Sequence, residues 1–194
     1  MNKKVQFKVS LLGEGMVGKT SLKNRIITGK FTDLYLTTLG VDFGIHNLKI
    51  ENYDVQLAIW DIAGQKNFSA IREGYFDGST GAIIVFDVTR PETLTKIKEN
   101  WIVPFFKKLG GKLPVLILGN KIDLTNERNL TQKQIEDFLK LMKAELNLPE
   151  TSLPYIEASV KDGINITKAI EEFSRILVQF KQDKDKITGK VNIY

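Results

Sequence analysis

The chain has 194 residues, of which 42% are hydrophobic and 26% charged, so we expect one compact domain with a sizeable core. The net charge of +5 is distributed along the chain, with Lys and Arg alternating with Asp and Glu, which is typical of solvated faces rather than of a nucleic-acid-binding stripe. The absence of cysteine excludes disulfides, thiolate metal sites and thiol redox chemistry.

The first predicted strand leads into a glycine-framed turn. Apolar and polar residues alternate over residues 5–11, which predicts a strand, and residues 13–20 then read Gly-Glu-Gly-Met-Val-Gly-Lys-Thr. In this spacing the glycines let backbone N–H groups point at phosphate oxygens, Lys19 adds a cation for the outer phosphates, and the Thr20 hydroxyl can bind Mg²⁺. A helix of about ten residues should follow and end at Gly29. This strand, loop and helix context is that of a phosphate-binding loop.

A loop and a hairpin come next. Residues 31–42 show no periodicity and predict an exposed loop. The β-rich segments 43–50 and 55–60 are joined by the polar residues 51–54, which predicts an antiparallel hairpin. Asp61 follows the second strand, where a carboxylate can hold Mg²⁺ directly or through water, although Asp is also a common turn former.

The second half of the chain alternates strands and helices. Residues 81–86 and 115–118 are continuous apolar runs, as expected of strands that are buried on both faces. The pattern over residues 91–109 is helical, and Pro104 should kink or divide that helix. The remaining elements are a helix, a short strand and a C-terminal helix, predicted at 131–142, 155–158 and 166–180.

These elements predict an α/β fold, with a six-stranded, mostly parallel sheet, one antiparallel edge strand and helices on both faces. We assign residues 1–181 to this domain and residues 182–194 to a polar, flexible C-terminal tail. Ligands of such sheets bind at the carboxyl ends of the strands. The glycine loop, Asp61, residues 120–123 and residues 158–161 all follow strand ends, so the topology should gather them at one edge.

Residues 120–123 read Asn-Lys-Ile-Asp and have a chemical reason to lie at that edge. A rigid carboxylate at Asp123 can accept from both N–H donors on the Watson–Crick edge of guanine, whereas adenine presents an acceptor there and lacks the second donor. Guanine is therefore the predicted base. A polar turn before a helix is the alternative interpretation, and the motif alone leaves both open.

Five motifs occur here in the order and spacing of the Ras-like small GTPases, which the chain resembles over residues 5–180. The five motifs are residues 13–20, Thr38, residues 61–65, residues 120–123 and residues 157–161. Residues 38–43 and 60–65 look most like the Rab branch, while residues 72–76 and 86–89 would suit Rab or Ran. The resemblance implies the P-loop NTPase fold and a molecular switch that binds guanine nucleotides and hydrolyses GTP.

The resemblance also implies catalytic and metal-binding roles. Gln65 would orient the attacking water, with Lys19 and Thr38 as the other catalytic residues. Mg²⁺ would be held by Thr20, Thr38 and, through water, Asp61. The assignment of Thr38 rests on its position directly before Leu-Gly-Val-Asp-Phe, and the neighbouring threonine at position 37 is the competitor for this role.

Further residues would contact the nucleotide itself. Phe31 would lie edge-on against guanine, Lys121 would cover its face, the Ala158 N–H would reach the base oxygen, and the Gly64 N–H would meet the γ-phosphate. The implied contacts with GTP or GDP are made by Gly15, Val17, Gly18, Lys19, Thr20, Ser21, Phe31, Tyr35, Thr38, Gly64, Asn120, Lys121, Asp123, Ala158, Ser159, Val160 and Lys161.

The expected partners are those of a switch. No Arg occupies the position at which one acting in cis would be expected, so intrinsic hydrolysis should be slow and a GTPase-activating protein should accelerate it. This activating protein, an exchange factor and effectors should bind through residues 35–43 and 62–76. The resemblance implies an aromatic triad like the one that Rab proteins show to effectors, formed by Phe43, Trp60 and Tyr75. Ordinary core and edge packing is the alternative role of these three side chains. We expect a monomer with no nucleic-acid partner.

The sequence lacks the C-terminal cysteine of a typical Rab, so we expect no direct lipid anchor in this chain. We expect a cytoplasmic protein that reaches membranes through partners or through a lipidated tail missing from this sequence. A Ran-like switch would explain the missing cysteine. Two competing functions for the same motifs are an unrelated phosphate-loop enzyme, such as a nucleotide kinase, and a non-hydrolysing interaction module.

Overall fold

The computed structural model describes residues 2–31, 40–64 and 73–191. The strands in this part of the chain are β1 (Lys3–Leu12), β2 (Val41–Ile50), β3 (Tyr53–Ile62), β4 (Gly81–Asp87), β5 (Val115–Asn120) and β6 (Tyr155–Ala158). The α-helices are α1 (Lys19–Thr28), α2 (Pro91–Thr95), α3 (Val103–Leu109), α4 (Gln132–Glu145) and α5 (Ile166–Val191). Short 3₁₀ turns occupy Glu73–Phe76 and Thr125–Glu127, and a π-helical turn occupies Lys98–Ile102.

The sheet has the strand order β2-β3-β1-β4-β5-β6 among the described residues. β1 pairs in parallel with β3 and β4, and the β4–β5 and β5–β6 pairs are also parallel. β2 is the antiparallel edge strand, with Val41 opposite Ile62 and Ile50 opposite Tyr53. The predicted six-stranded α/β fold is therefore confirmed, and the carboxyl ends of β1, β3, β4, β5 and β6 meet at one edge.

Two apolar clusters cover the two faces of the sheet. One contains Leu22 of α1 and Phe173 of α5. The other contains Trp101, Phe105 of α3 and Leu139 of α4. Every residue of β4 and β5 is buried, as expected of strands between two helical layers.

Pro104 divides the helical segment that follows β4, as predicted. Pro104 lies at the start of α3 and has no N–H for a bond to the preceding turn. The π-helical turn precedes it, and the Val103 N–H bonds the Lys98 carbonyl five residues back. The chain thus remains helical through Pro104, with a π-helical turn in place of a regular α-helical one.

The C-terminal helix is longer than the sequence pattern predicts. α5 runs to Val191, through residues assigned above to a flexible tail. Ion pairs and hydrogen bonds four residues apart support this part, as between Lys181 and Asp185 and between Gln179 and Asp183. None of the helices in the described ranges is long and apolar enough to cross a membrane.

Candidate functional site

The glycine loop, residues 13–20, has glycine at two positions where a side chain would collide with a neighbouring strand. Gly13 has φ +135°, and a Cβ there would lie 2.1 Å from the Val85 carbonyl oxygen on β4. Gly18 has φ +101°, and a Cβ there would lie 2.4 Å from Asn120 Nδ2. Gly18 is also the N-cap residue of α1 and provides no side-chain acceptor for its N–H groups. The loop therefore leads into a helix N-terminus that favours an anion.

Lys19 and Thr20 extend from the start of α1 towards two different anchors. Lys19 is 6% exposed, and its Nζ donates to the carbonyl oxygens of Gly13 at 2.8 Å and Glu14 at 2.9 Å. The Thr20 hydroxyl donates to Asp61 Oδ2 at 2.6 Å. Because Asp61 is buried on β3, this bond connects the glycine loop to the neighbouring strand.

Gly64 lies directly against the glycine loop. A Cβ at Gly64 would be 2.4 Å from the Gly13 carbonyl oxygen and 2.5 Å from Lys19 Nζ. Only glycine lets the backbone after β3 approach the loop this closely. The structure thus places Gly64, whose N–H is predicted to meet the γ-phosphate, beside the predicted phosphate site.

Asn120, at the end of β5, joins two loops that are far apart in the sequence. Its Nδ2 donates to the Val17 carbonyl at 2.9 Å, and its Oδ1 accepts from the Val160 N–H at 3.0 Å. The side chain is buried, with 3% of the residue exposed. Asn120 was predicted as a nucleotide contact, and here both ends of its carboxamide bond the backbone that surrounds the site.

The Asp123 carboxylate is held by the loop after β6. Ser159 Oγ donates to Asp123 Oδ1 at 2.7 Å and accepts from the Asp162 N–H at 2.9 Å. Ser159 is buried, whereas Asp123 is partly exposed. The carboxylate is therefore fixed from the protein side and accessible from the other, as a base-reading group needs to be.

Asp87, the last residue of β4, is a site residue that the sequence analysis did not identify. Its Oδ1 accepts from the Thr89 N–H and hydroxyl at 2.9 and 2.7 Å, and its Oδ2 accepts from Arg90 Nε at 3.0 Å and pairs with Lys121 Nζ at 2.7 Å. Burial raises the pKa of Asp87, but the hydrogen bonds from Lys121 and Thr89 outweigh burial and hold it below its usual value. Arg90 Nη2 in turn donates to the Gly15 carbonyl at 2.9 Å. Asp87 thus links the Asn-Lys-Ile-Asp motif to the glycine loop.

The sequence model that describes the Ras family matches residues 8–179 of this chain. The chain belongs to the Ras family. Rab-21 of Mus musculus is 45% identical over 183 residues, which cover 94% of this chain and 78% of that protein. Rab-1 of Theileria parva is 35% identical over 94% of this chain and 76% of its own length, and Rab-7a of Dictyostelium discoideum is 32% identical over 92% and 86%.

These relatives confirm the Rab branch over the Ran-like possibility, and they confirm a GTP-hydrolysing switch over a nucleotide kinase or a non-hydrolysing module. This member of the Ras family is a small GTPase of the Rab type. The family binds GTP and GDP, so the edge of the sheet that carries residues 13–20, 61–64, 120–123 and 158–161 is the candidate guanine-nucleotide site.

The other predicted site residues of this Ras-family chain lie around the same edge or outside the described residues. Ala158 is buried at the end of β6, Lys161 is exposed after it, and Ser21 lies half-buried in the first turn of α1. Phe31 is partly buried against the core cluster that contains Leu22. The predicted site residues outside the described part of the chain are Tyr35, Thr38 and Gln65, together with Thr37, the competitor for the role of Thr38.

A second polar cluster supports the loop after β6. Arg128 donates through Nη1 and Nη2 to both carboxylate oxygens of Glu157, at 2.9 and 2.5 Å, and the Tyr155 hydroxyl donates to Glu157 Oε1 at 2.8 Å. The Arg128 hydrogen bonds lower the pKa of Glu157, and burial, followed by the Glu157 contact, raises the pKa of Tyr155. The first residue of the Glu157–Lys161 motif therefore anchors the loop rather than facing the nucleotide edge.

Proposed function

We propose that residues 13–20 hold the phosphates of GTP and GDP in this Rab-type GTPase. The hydrogen bond between Thr20 and Asp61 carries this proposal, because it joins the glycine loop to the carboxylate expected beside Mg²⁺. Lys19 supports it, because two carbonyl oxygens already hold its ammonium over the loop. Groups that are aligned before the ligand binds need little reorganisation, which favours tight binding and catalysis.

The side chains around Thr20 fit a Mg²⁺ ion. Hydroxyl, carboxylate and phosphate oxygens are its usual ligands in nucleotide sites, and such sites need only one or two carboxylates. Thr20 would bind the ion directly, Asp61 through a water molecule, and Thr38 would complete the set. When bound, the ion would neutralise negative charge on the outer phosphates.

We propose Gln65, Lys19 and Thr38 as the catalytic residues of hydrolysis. Gln65 would orient the attacking water and the preceding Gly64 N–H would meet the γ-phosphate, and the close contact of Gly64 with the loop supports this arrangement. Gln65→Leu should slow GTP turnover while GTP binding persists, because it removes the polar group that orients water. Single-turnover phosphate release, with binding of a non-hydrolysable GTP analogue as control, measures both quantities. Turnover equal to that of the wild type would remove Gln65 from the mechanism.

We propose that Asp123 reads the base. Its carboxylate would accept from the two N–H donors of guanine, while the Ser159 hydrogen bond fixes its orientation. Asp123→Asn presents a donor where guanine also presents one, so we expect a shift in preference from GTP towards xanthosine triphosphate. Competition binding of the two nucleotides measures this shift. Asp162→Asn, the same charge change at a neighbouring exposed position, is the matched control, and unchanged GTP affinity in Asp123→Asn would show that the base is read elsewhere.

Effector recognition would use the edge strand. Phe43 on β2 is 61% exposed and stacks on Trp60 of β3, with ring centroids 5.5 Å apart. Large exposed aromatic side chains are typical of interaction surfaces. We propose that effectors, an exchange factor and a GTPase-activating protein bind the monomer around residues 35–43 and 62–76.

We also propose that residues 1–181 form the GTPase domain. We further propose that the protein is cytoplasmic and reaches membranes through partners or through a lipidated tail.

Nucleotide analysis of the purified protein tests the site as a whole. We expect GDP or GTP to co-purify, and added GTP to be converted to GDP and phosphate in the presence of Mg²⁺. Lys19→Ala should lose this binding, whereas Lys133→Ala, at an exposed lysine of α4, should keep it. Tightly bound ATP, or no bound nucleotide, would contradict the proposal.

A further inference from the structure

Glu14, the second residue of the glycine loop, is anchored through both its main chain and its side chain. Its carbonyl oxygen accepts from Lys19 Nζ at 2.9 Å. Its carboxylate Oε1 accepts from Asn100 Nδ2 at 2.9 Å and from Trp101 Nε1 at 3.1 Å, and Lys96 Nζ lies 4.0 Å from Oε2. The side chain is only 14% exposed, so its carboxylate depends on these partners for the hydrogen bonds that water would otherwise supply.

The two donors come from adjacent residues of the π-helical turn Lys98–Ile102. A π-helical turn holds more residues than an α-helical turn, so neighbouring side chains point in more similar directions. Asn100 and Trp101 can therefore reach the same carboxylate oxygen. Pro104 is compatible with this turn, since it has no N–H with which to close a regular α-helical bond to Asn100.

Trp101 gives this contact a rigid base. The side chain is completely buried in the cluster that also contains Phe105 and Leu139, so it cannot move without disturbing the core. Its ring centroid lies 6.0 Å from Lys19 Nζ. The same side chain thus supports Glu14 and lies close to the ammonium group that the Glu14 carbonyl holds.

We propose that Glu14 is a positioning residue of the phosphate site. Its carboxylate, held by Asn100 and Trp101, fixes the Glu14 carbonyl that orients Lys19, and through Lys19 it sets the affinity for the outer phosphates. Glu14 acts through the shape of the loop and not by contact with the nucleotide. This inference rests on the proposed function of residues 13–20.

The test compares variants of the full chain loaded with Mg²⁺ and a fluorescent GDP. Glu14→Ala removes both hydrogen bonds and should speed GDP release by about tenfold or more, with a smaller increase in Asn100→Ala. Glu14→Gln keeps an oxygen that can accept from both donors, so it should stay within about threefold of the wild type. Glu99→Ala is the matched control, because Glu99 is 70% exposed on the same turn and pairs with Lys98.

A second measurement separates positioning from general loosening of the fold. Glu14→Ala should weaken binding of GDP more than binding of guanosine monophosphate, because the latter lacks the outer phosphate and keeps the base. Competition titrations against the fluorescent nucleotide give both affinities. Equal losses for the two nucleotides would overturn the inference, since a loosened fold would affect the base site as well.

The outcomes distinguish this inference from the proposed function. If the Glu14→Ala variant folds and releases GDP at the wild-type rate, the positioning role is wrong. Should Glu14→Ala not fold, Asn100→Ala decides, and a release rate equal to that of Glu99→Ala would overturn it. A wild-type protein that binds no guanine nucleotide would overturn the proposed phosphate site itself, and this inference with it.

Discussion

Asn120→Ala removes the side chain that connects the glycine loop to the loop after β6. The wild-type carboxamide bonds the Val17 carbonyl at 2.9 Å and the Val160 N–H at 3.0 Å, and neither contact lies at the surface. The methyl group of alanine can make neither bond. We therefore expect a loss of stability that depends on the fate of these two backbone groups.

The size of that loss can be estimated from the two groups left behind. A buried donor or acceptor that loses its partner costs about 1–3 kcal/mol, so two such groups together cost about 2–6 kcal/mol. Water entering the space left by the carboxamide would bring the loss towards the lower end of this range. Against a total stability of about 5–15 kcal/mol, the effect should be easy to measure.

The assay is urea unfolding of the nucleotide-free protein, because Asn120 is a predicted nucleotide contact and a ligand that binds the folded state would add any change in its affinity to the apparent stability. Asn129→Ala is the matched control, since Asn129 is exposed and its Nδ2 makes one hydrogen bond, to the Thr89 carbonyl at 2.8 Å. The control should lose less than about 1 kcal/mol. If Asn120→Ala loses no more than Asn129→Ala, the reasoning about buried backbone groups is wrong.

Three further predictions concern the loops at the same edge. Gly13→Ala would place Cβ 2.1 Å from the Val85 carbonyl oxygen at φ +135°, so urea unfolding should show a loss of about 1–3 kcal/mol or more, and wild-type stability would contradict this. Gly64→Ala would place Cβ 2.4 Å from the Gly13 carbonyl oxygen, so fluorescence titration should show weaker GTP binding with GDP binding less affected, and equal affinities to wild type would refute the close approach. Hydrogen bonds from Arg128 lower the pKa of Glu157 from its ordinary 4.5, so this stabilisation is present above pH 4.5 and is lost as the pH falls through the lower, folded-state pKa. The urea midpoints of the wild type and Glu157→Gln should therefore converge at acid pH, and a constant difference from pH 7 to 3 would contradict the ion pair.

Local patterns in the sequence were sufficient for most of the elements. The helix predicted to start at residue 131 begins with a capping box, in which the Gln134 N–H bonds Thr131 Oγ1 at 3.3 Å and the Thr131 N–H bonds Gln134 Oε1 at 2.9 Å. Gly29 ends α1 with φ +70°, as predicted from its place after the helical pattern. These signals involve residues at most a few positions apart, so they can be recognised without the fold.

The sequence could not reveal the contacts that depend on the assembled sheet. Glu14 and Asn100 are 86 positions apart, and they meet because Trp101 of the π-helical turn packs in the same apolar cluster as Leu12 at the end of β1. Asp87 has one recognisable signal in the sequence, a carboxylate at the end of a buried strand, but its contacts with Lys121 and Arg90 depend on the fold. The helical residues after 181 were missed because charged pairs four positions apart, rather than apolar periodicity, support them.

The glycine loop also shows why its motif alone could not specify a phosphate site. Three side chains hold the carbonyl groups of the loop. Lys19 of the loop itself bonds two of them, and Arg90 and Asn120, from outside the loop, bond one each. The carbonyl groups held in this way are those of Gly13, Glu14, Gly15 and Val17. Since the C=O and N–H of a trans peptide point in opposite directions, fixing the carbonyls on the protein side leaves the N–H groups turned towards the opposite side, where an anion can bind. The glycines permit this backbone conformation, and hydrogen bonds from Arg90, which follows β4, and from Asn120, which ends β5, stabilise it.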